Sequence, residues 1–283
     1  MELREAAGRT APAAQTKRTR RSLAPSRFWA IAEPPARGAS IGLPLGVATM
    51  LLFAWTLVTR FGNVPAMFLP SPSGVWTAFL GLMADGYAAD IRTSCERVAI
   101  GFAIAAILSI PIGVLMGSFG SFEALLAPIV GTMRYLPITA LVPLMILWLG
   151  IDEAPKIAII ILSAFFYNTI MIVDAVHAVP RDFINVSYTL GAKRIDVLWR
   201  VILPAAMPQI FDALRVNVAV AWNFLFIAEL IAADSGMGYR LTMAQRTNAS
   251  DQMFVALVIV AIIGFSLDRA FRLARKLALP WAP

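Results

Sequence analysis

A catalytic site needs a nucleophile, a base and a scaffold to hold them, and this chain offers little of any. It carries one cysteine, Cys95, and one histidine, His177, with its carboxylates scattered. The lone thiol excludes an intramolecular disulfide, and the single imidazole leaves little from which to build a metal site. No G-x-x-x-x-G-K-[ST] run is present to cradle nucleotide phosphates. We therefore expect no catalytic residue, no metal ligand set and no bound cofactor. The residues able to do chemistry are instead polar groups set inside apolar stretches: Arg134, Asn168, Asp174, Asn217, Asn223 and Glu229. Each costs free energy in lipid and so faces protein or water. Arg134, Pro137, Asn168, Asn223 and Glu229 are the candidate lining of a path across the membrane. Glu229 serves equally as a buried ion pair. Asn223 and Glu229 are six residues apart, about 120° around a helix, so they need not share a face. Pro137 and Pro143 remove helical hydrogen bonds beside Arg134, which is tolerated where a neighbouring helix or a cavity satisfies the backbone.

The elements that position these groups are membrane spans. Hydrophobic residues make up 59% of the chain and charged ones 14%, against roughly 25% charged in an average soluble domain. Mean hydropathy is +0.74. Gly38–Thr59 and Val98–Phe122 run without a charge, and each exceeds the roughly 20 residues needed to cross hydrocarbon. Ala124–Ile151, interrupted by Arg134, is a third span and Ile157–Val173 a fourth. The fifth, Ile210–Ala233, contains Asp212, Arg215 and Glu229, and the sixth is Gln252–Leu267. Soluble helices need polar faces, which these lack. The predicted fold is an all-α membrane protein with six transmembrane helices in one domain, residues 38–283, following a basic, disordered cytoplasmic tail at residues 1–37. That tail is rich in Ala, Arg and Pro. It has no apolar run to make it a signal peptide and no aromatic interleaving to favour nucleic acid, so no nucleic-acid partner is expected.

Positive charge sets the orientation. With the amino end inside, 16 Lys and Arg lie on the cytoplasmic side, including Arg181, Lys193, Arg194 and Arg200 between spans four and five. Six lie outside: Arg60, Arg92, Arg97, Lys156, Arg240 and Arg246. Both termini are then cytoplasmic. The inner loop, residues 179–207, contains a polar island, Pro180–Pro204, reading PRDFINVSYTLGAKRIDVLWRVILP. A helical pattern starts with Asp182 as N-cap, stops at Gly191, restarts through Lys193 and ends at Pro204. Two short basic helices hinged at a glycine make a docking surface for a cytoplasmic partner.

The spacing in that loop is similar to the permeases of bacterial ABC importers, whose loop reads EAA, three residues, Gly, nine residues, Ile, one residue, Leu-Pro. Here Gly191 is followed by nine residues and then Val201, Ile202, Leu203 and Pro204, while Asn185, Val186 and Ser187 replace the triplet. Further stretches resemble the nitrate/sulfonate/taurine/bicarbonate branch. They are FLPSPSGVWTAF (Phe68–Phe79), ERVAIGFAIAAILSIPIGVLMG (Glu96–Gly117), LVPLMILWLGIDEAPKI (Leu141–Ile157), AELIAADSGMGY (Ala228–Tyr239) and SLDRAFRLARKLALPW (Ser266–Trp281).

The resemblance implies a type I ABC importer permease in a bacterial cytoplasmic (inner) membrane, and no enzyme of its own. It would work as a homodimer, with two ABC ATPase subunits holding ATP and magnesium and an external or periplasmic solute-binding protein delivering a small solute. Within the branch that solute is a small anion such as nitrate, a sulfonate, taurine or bicarbonate. Asn185, Ser187, Thr189, Leu190, Gly191, Ala192, Lys193, Leu203 and Pro204 take the ATPase-coupling role. Arg134 then forms a positive collar if it faces the dimer axis. If it faces a neighbouring span it forms a structural ion pair, with Asp174 or with carbonyls freed near Pro137. Phe68–Val75 reads as a proline-stiffened lead into a short amphipathic helix, Val75–Met83, on the outer surface. Ser235–Tyr239 reads as a glycine-rich turn that either contacts the binding protein or closes two spans. A secondary transporter or channel driven by an ion gradient is the alternative. It would require inverted repeats and a midplane ion site, and neither is visible.

Overall fold

The computed structural model describes residues 37–281, so the predicted amino-terminal tail lies outside the described residues. Those residues form eleven α-helices and one π-helical turn, with no strand among them. Helix α1 is Arg37–Phe61, α2 Pro72–Ala84, α3 Tyr87–Ser118, α4 Gly120–Met133, α5 Ile138–Leu149 and α6 Glu153–His177. Then follow α7 Arg181–Thr189, α8 Arg194–Val197, the π turn Leu198–Ile202, α9 Leu203–Ala232, α10 Met237–Arg246 and α11 Ser250–Ala278. The chain divides into two units at Ala54. The described part of the first is the body of α1, whose large apolar side chains, among them Ile41, Leu45, Met50 and Phe53, are exposed. The second unit, from Trp55 onward, contains everything described below.

Its centre is the pair α3 and α6. In lipid no hydrophobic force drives one helix onto another, so association depends on close packing and on small residues that permit it. On α3, Gly101, Gly113 and Gly117 lie against Ile160, Ile172 and Val176 of α6, each 59 positions further along the chain. A constant offset means that the two helices run parallel and in register. Between the glycines, Ala105 and Ser109 continue the four-residue series, as Ala164 and Asn168 do on α6, and all four are fully buried. Because α3 and α6 point the same way, the chain between them must cross back. Helices α4 and α5 make that return as one broken span, bent by 95°. Counting that pair once, six segments are long and apolar enough to cross a membrane.

Helix α9 packs against both α6 and α3 and is longer than the sequence suggests. Pro204 was expected to end the second inner helix, but α8, the π turn and α9 form one continuous helical segment, Arg194–Ile231. The Leu203 N–H bonds back to Leu198 O rather than to residue 199. This wider turn moves the carbonyls away from the proline ring and accommodates its missing donor. The expected loop, residues 179–207, thus includes the start of this long helical segment. Asp212 and Arg215, which interrupt the fifth span, pair with the tail of α11: Arg275 lies 3.1 Å from Asp212, and Arg215 lies 3.5 Å from Asp268.

At the other end, Ser71 caps α2 by accepting from Gly74 N–H at 3.1 Å, with Pro72 in its first turn. The Trp55 indole donates to Pro70 O and stacks on Phe254, and the Ser250 hydroxyl donates to Met67 O. These bonds pin the Pro-Ser-Pro segment to the start of α11. Helix α10 was not anticipated; it begins at Met237, inside what reads as a turn in the sequence.

A Cβ at Gly113 would stand 2.7 Å from Ile172 Cγ2 and 3.0 Å from Thr169 O. Gly113→Val is expected to destabilise the folded protein by about 1–3 kcal/mol through overpacking. Gly131→Ala on α4, with nothing within 4 Å, should leave stability unchanged. Thermal unfolding in detergent, followed by size-exclusion chromatography, checks the contrast.

Candidate functional site

Three places along the helices hold the polar residues. In the loop expected to face the cytoplasm, α7 leaves Pro180 rather than the expected N-cap Asp182, and Gly191 takes φ +82°, the left-handed value that ends a helix. Lys193 then caps α8. No side chain of α7 is buried, and Phe183, Val186, Tyr188 and Leu190 all point outward, Leu190 at 83% exposure. A solvated polar loop does not present such a crown unless something covers it. The hairpin is anchored from beneath by Ile184 and Ala192, which pack on Val176, Val179 and Val197. Among the residues assigned to coupling, Asn185, Thr189, Leu190, Gly191 and Lys193 are exposed. Ala192, Leu203 and Pro204 are half-buried, and the Ser187 hydroxyl turns back to donate to Phe183 O.

Within the candidate span made by α4 and α5, the break falls at Arg134–Pro137, with Pro137 capping α5. Arg134 is exposed on this chain. Its Nη2 donates to the Tyr135 hydroxyl at 2.9 Å and its guanidinium lies 4.8 Å from that ring's centre. The expected ion pair with Asp174 is absent among the described residues, and Asp174 is itself exposed on α6. The elbow carries Arg134 outward, away from the α6 face to which Val130 and Ile138 are packed. A guanidinium facing lipid there would cost at least roughly 2.5–3.5 kcal/mol. Pro137 and Asn223 are also exposed, whereas Asn168 is buried in the helix seam and accepts from Asn217 Nδ2 at 2.8 Å.

The opposite ends of the helices hold a site that the sequence alone did not assemble. Glu229, 1% exposed, is enclosed on all sides. Arg97 Nη1 donates to its Oε1 at 2.7 Å, Ser94 Oγ to the same oxygen at 2.7 Å, and Gly238 N–H to Oε2 at 2.7 Å. The fork of Arg97 also holds Glu153 by two bonds and donates to Ser235 O. Asp90 accepts from Gly236 N–H and from Arg240 Nε. Arg97 and Lys156, placed among the external loop charges by sequence, are each only 2% exposed. The clasp also explains the glycines of the Ser235–Tyr239 segment. Gly236 has φ +108°, and a Cβ there would stand 2.5 Å from Glu229 Oε1; one at Gly238 would stand 2.6 Å from Glu229 Cβ. The segment closes spans five and six by wrapping a carboxylate. Glu229 is thus withdrawn from any open surface of the chain. The signal for it was present in the sequence as charges at span ends, but their partners come from four helices far apart in the chain. Beside the clasp opens a cleft of about 530 Å³ lined by Asp152, Glu153, Lys156 and Asp234.

Replacing Glu229 by Gln sets an amide NH2 against a ring of donors and leaves Arg97 half-paired. Removing one partner of a buried ion pair costs about 3–5 kcal/mol. Glu229→Gln should therefore lower the thermal midpoint and the folded yield. Arg97→Met added to Glu229→Gln should cost less than the two single changes summed, which a double-mutant cycle in detergent measures.

Comparison with known proteins agrees with this geometry. Residues 109–277 match the family model described as binding-protein-dependent transport system inner membrane component. A probable ABC transporter permease protein of Brucella melitensis biotype 1 is 37% identical over 247 residues, covering 87% of this chain and 99% of that one. The taurine transport system permease protein of Escherichia coli K12 is 33% identical over 247 residues, 85% and 90% of the two chains. In fold, the chain is similar to the MetNI methionine ABC transporter in an inward-facing conformation, with a TM-score of 0.61 at 16% identity over 67% of this chain and 94% of that one. A broken third span, a hinged inner hairpin and an apolar six-segment helical body are therefore found in a chain that belongs to the family of binding-protein-dependent transport system inner membrane components.

Proposed function

We propose that the protein is the transmembrane subunit of an ATP-driven importer for a small anion and works as a homodimer. Two ABC ATPase subunits sit at the cytoplasmic hairpins, and a solute-binding protein docks on the outer face. The membrane is the bacterial cytoplasmic one, with both termini inside. ATP and magnesium belong to the partner, since the chain has no phosphate-cradling loop. The observation that carries this reading is the crown of exposed apolar side chains on and just after α7, Phe183, Val186, Tyr188 and Leu190, on a loop whose basic residues favour the cytoplasmic side. A groove on the ATPase covers it, with Thr189, Leu190 and Lys193 around the Gly191 hinge. The relative named for taurine transport supports a solute that carries a sulfonate group. Movement reaches the far side because α8 is continuous with α9. A push on Arg194–Val197 is carried along one helical segment to Glu229 and its clasp on α3 and α6. The spans then rock as a packed body between inward- and outward-open states.

Six spans supply half of a path, so the purified assembly is expected to contain two copies of this chain with two ATPase chains. Native mass spectrometry that finds a single copy, or a different second permease, rejects the dimer.

A side chain at Gly191 would be forced into the left-handed region. Gly191→Trp should abolish ATP-driven uptake while membrane insertion and yield stay normal, because nothing lies within 4 Å of Gly191 to clash. In the same assembly a cysteine replacing Leu190 should crosslink to the ATPase. Normal uptake by Gly191→Trp, or no crosslink, removes the coupling assignment.

A further inference from the structure

The elbow between α4 and α5 holds a charge that the rest of the fold leaves unanswered. Four other guanidiniums set among the helices are paired: Arg97 with Glu229 and Glu153, Arg240 with Asp90, Arg215 with Asp268, and Arg275 with Asp212. Arg134 has no carboxylate among the described residues; its polar partner is the adjacent Tyr135. That contact orients it without neutralising it. Tyr135 is 76% exposed, and the guanidinium stands over its ring at 4.8 Å from the centre. The Tyr135 oxygen accepts from Arg134 Nη2, so its own O–H remains free to donate. The guanidinium and the phenol are both exposed and are joined at 2.9 Å, so the unused N–H groups of the one lie close to the O–H of the other. That is a donor set for an oxyanion, because the planar guanidinium matches a sulfonate, nitrate or carboxylate edge by two parallel bonds.

We propose that Arg134 and Tyr135 form half of an anion-selecting collar, completed at the two-fold axis by the same residues of a second copy of this chain. The inference rests on the homodimeric importer reading. Symmetry makes the site isologous, since a residue near the axis in one copy faces itself in the other. Two guanidiniums facing each other repel unless water or an anion lies between them, so the empty collar is wet and an anion is held there by both copies. The surface on either side of the elbow is apolar: Leu125 and Ile129 on α4, Leu147 and Trp148 on α5. It seals the collar against lipid when the copies meet. The site is incomplete in one chain, which accounts for the exposure of Arg134.

The test uses the whole assembly (permease, ATPase and binding protein) in membrane vesicles, in a Cys95→Ala background. Arg134→Cys is treated with sulfonatoethyl methanethiosulfonate, a water-soluble anion that is itself a sulfonate, and with its cationic aminoethyl counterpart. The thiol introduced by Arg134→Cys should be labelled by the sulfonate reagent, whereas a cysteine replacing Ile107, exposed on the side of α3, should not. ATP-driven uptake of taurine and nitrate should fall roughly tenfold or more in Arg134→Cys, the loss expected for one charge-assisted hydrogen bond. Aminoethyl labelling restores a positive charge after folding and should recover uptake, while sulfonatoethyl labelling should not. An unreactive thiol at position 134, unchanged uptake, or no recovery with the cationic reagent overturns the collar. If the Cys95→Ala parent shows no ATP-driven uptake of either anion, the anion-importer reading fails instead, and the labelling contrast between positions 134 and 107 still decides the collar.

Discussion

Everything in the second unit leans on the contact between α3 and α6, where Gly101, Gly113 and Gly117 admit the β-branched edges of Ile160, Ile172 and Val176 to within a Cβ's reach. In water such a pair would be held by excluding solvent from apolar surface. In lipid the tails are as apolar as the side chains, and only close, dense packing distinguishes contact with a helix from contact with lipid. The four-residue spacing of small residues on α3 meets the four-residue spacing of larger ones on α6, which makes the pair straight-running, parallel and in register. That single relation fixes the direction of the bent α4–α5 return, and it presents a rigid wall against which α9 packs.

Charges at the two ends of this wall are handled in the same way and to opposite purpose. Outside, Arg97 bridges Glu229 of α9 and Glu153 of α6, while Ser94 and the α10 turn complete the shell. Buried charge is tolerated there because both oxygens of Glu229 are met by donors. Inside, Asp212, Arg215, Asp268 and Arg275 join α9 to the end of α11, where Arg272 also reaches Asp268. Helix α9 is therefore held to its neighbours by ion pairs at both membrane faces, and between them Asn217 bonds to Asn168. A helix tied at its ends and continuous with the α7–α8 hairpin transmits displacement over its length. The π turn at Leu198–Ile202 is where the ladder of that segment changes pitch, and it lies between the hairpin and the first intramembrane turn.

Seen beside these satisfied networks, the elbow is the exception. A clasp that enclosed Arg134 as completely as Glu229 is enclosed would leave no charge to meet a solute. Exposure in one chain and burial in the pair is the arrangement by which a membrane protein keeps a charge available without presenting it to lipid.

The sequence by itself determined the class of molecule. Long uncharged segments, the cytoplasmic bias of Lys and Arg, the glycine between two short amphipathic helices and the order of the family stretches all act locally, over a turn or a span, and so survive without knowledge of any contact. Tertiary structure decided the rest. Arg97 looks like a loop charge until Glu153 and Glu229 arrive from helices far along the chain, and Lys156 is drawn in beside it through Glu153. Gly236 and Gly238 look like the flexibility of a turn until the carboxylate beneath them shows that they are needed for space. Pro204 looks like a stop until the π turn before it moves the carbonyl its ring would strike. The candidate path divided the same way: Asn168 and Glu229 turned inward to partners, while Arg134, Pro137 and Asn223 stayed exposed. Hydropathy reports that a polar residue lies in a membrane but not which way it points, because that depends on partners up to more than a hundred residues away.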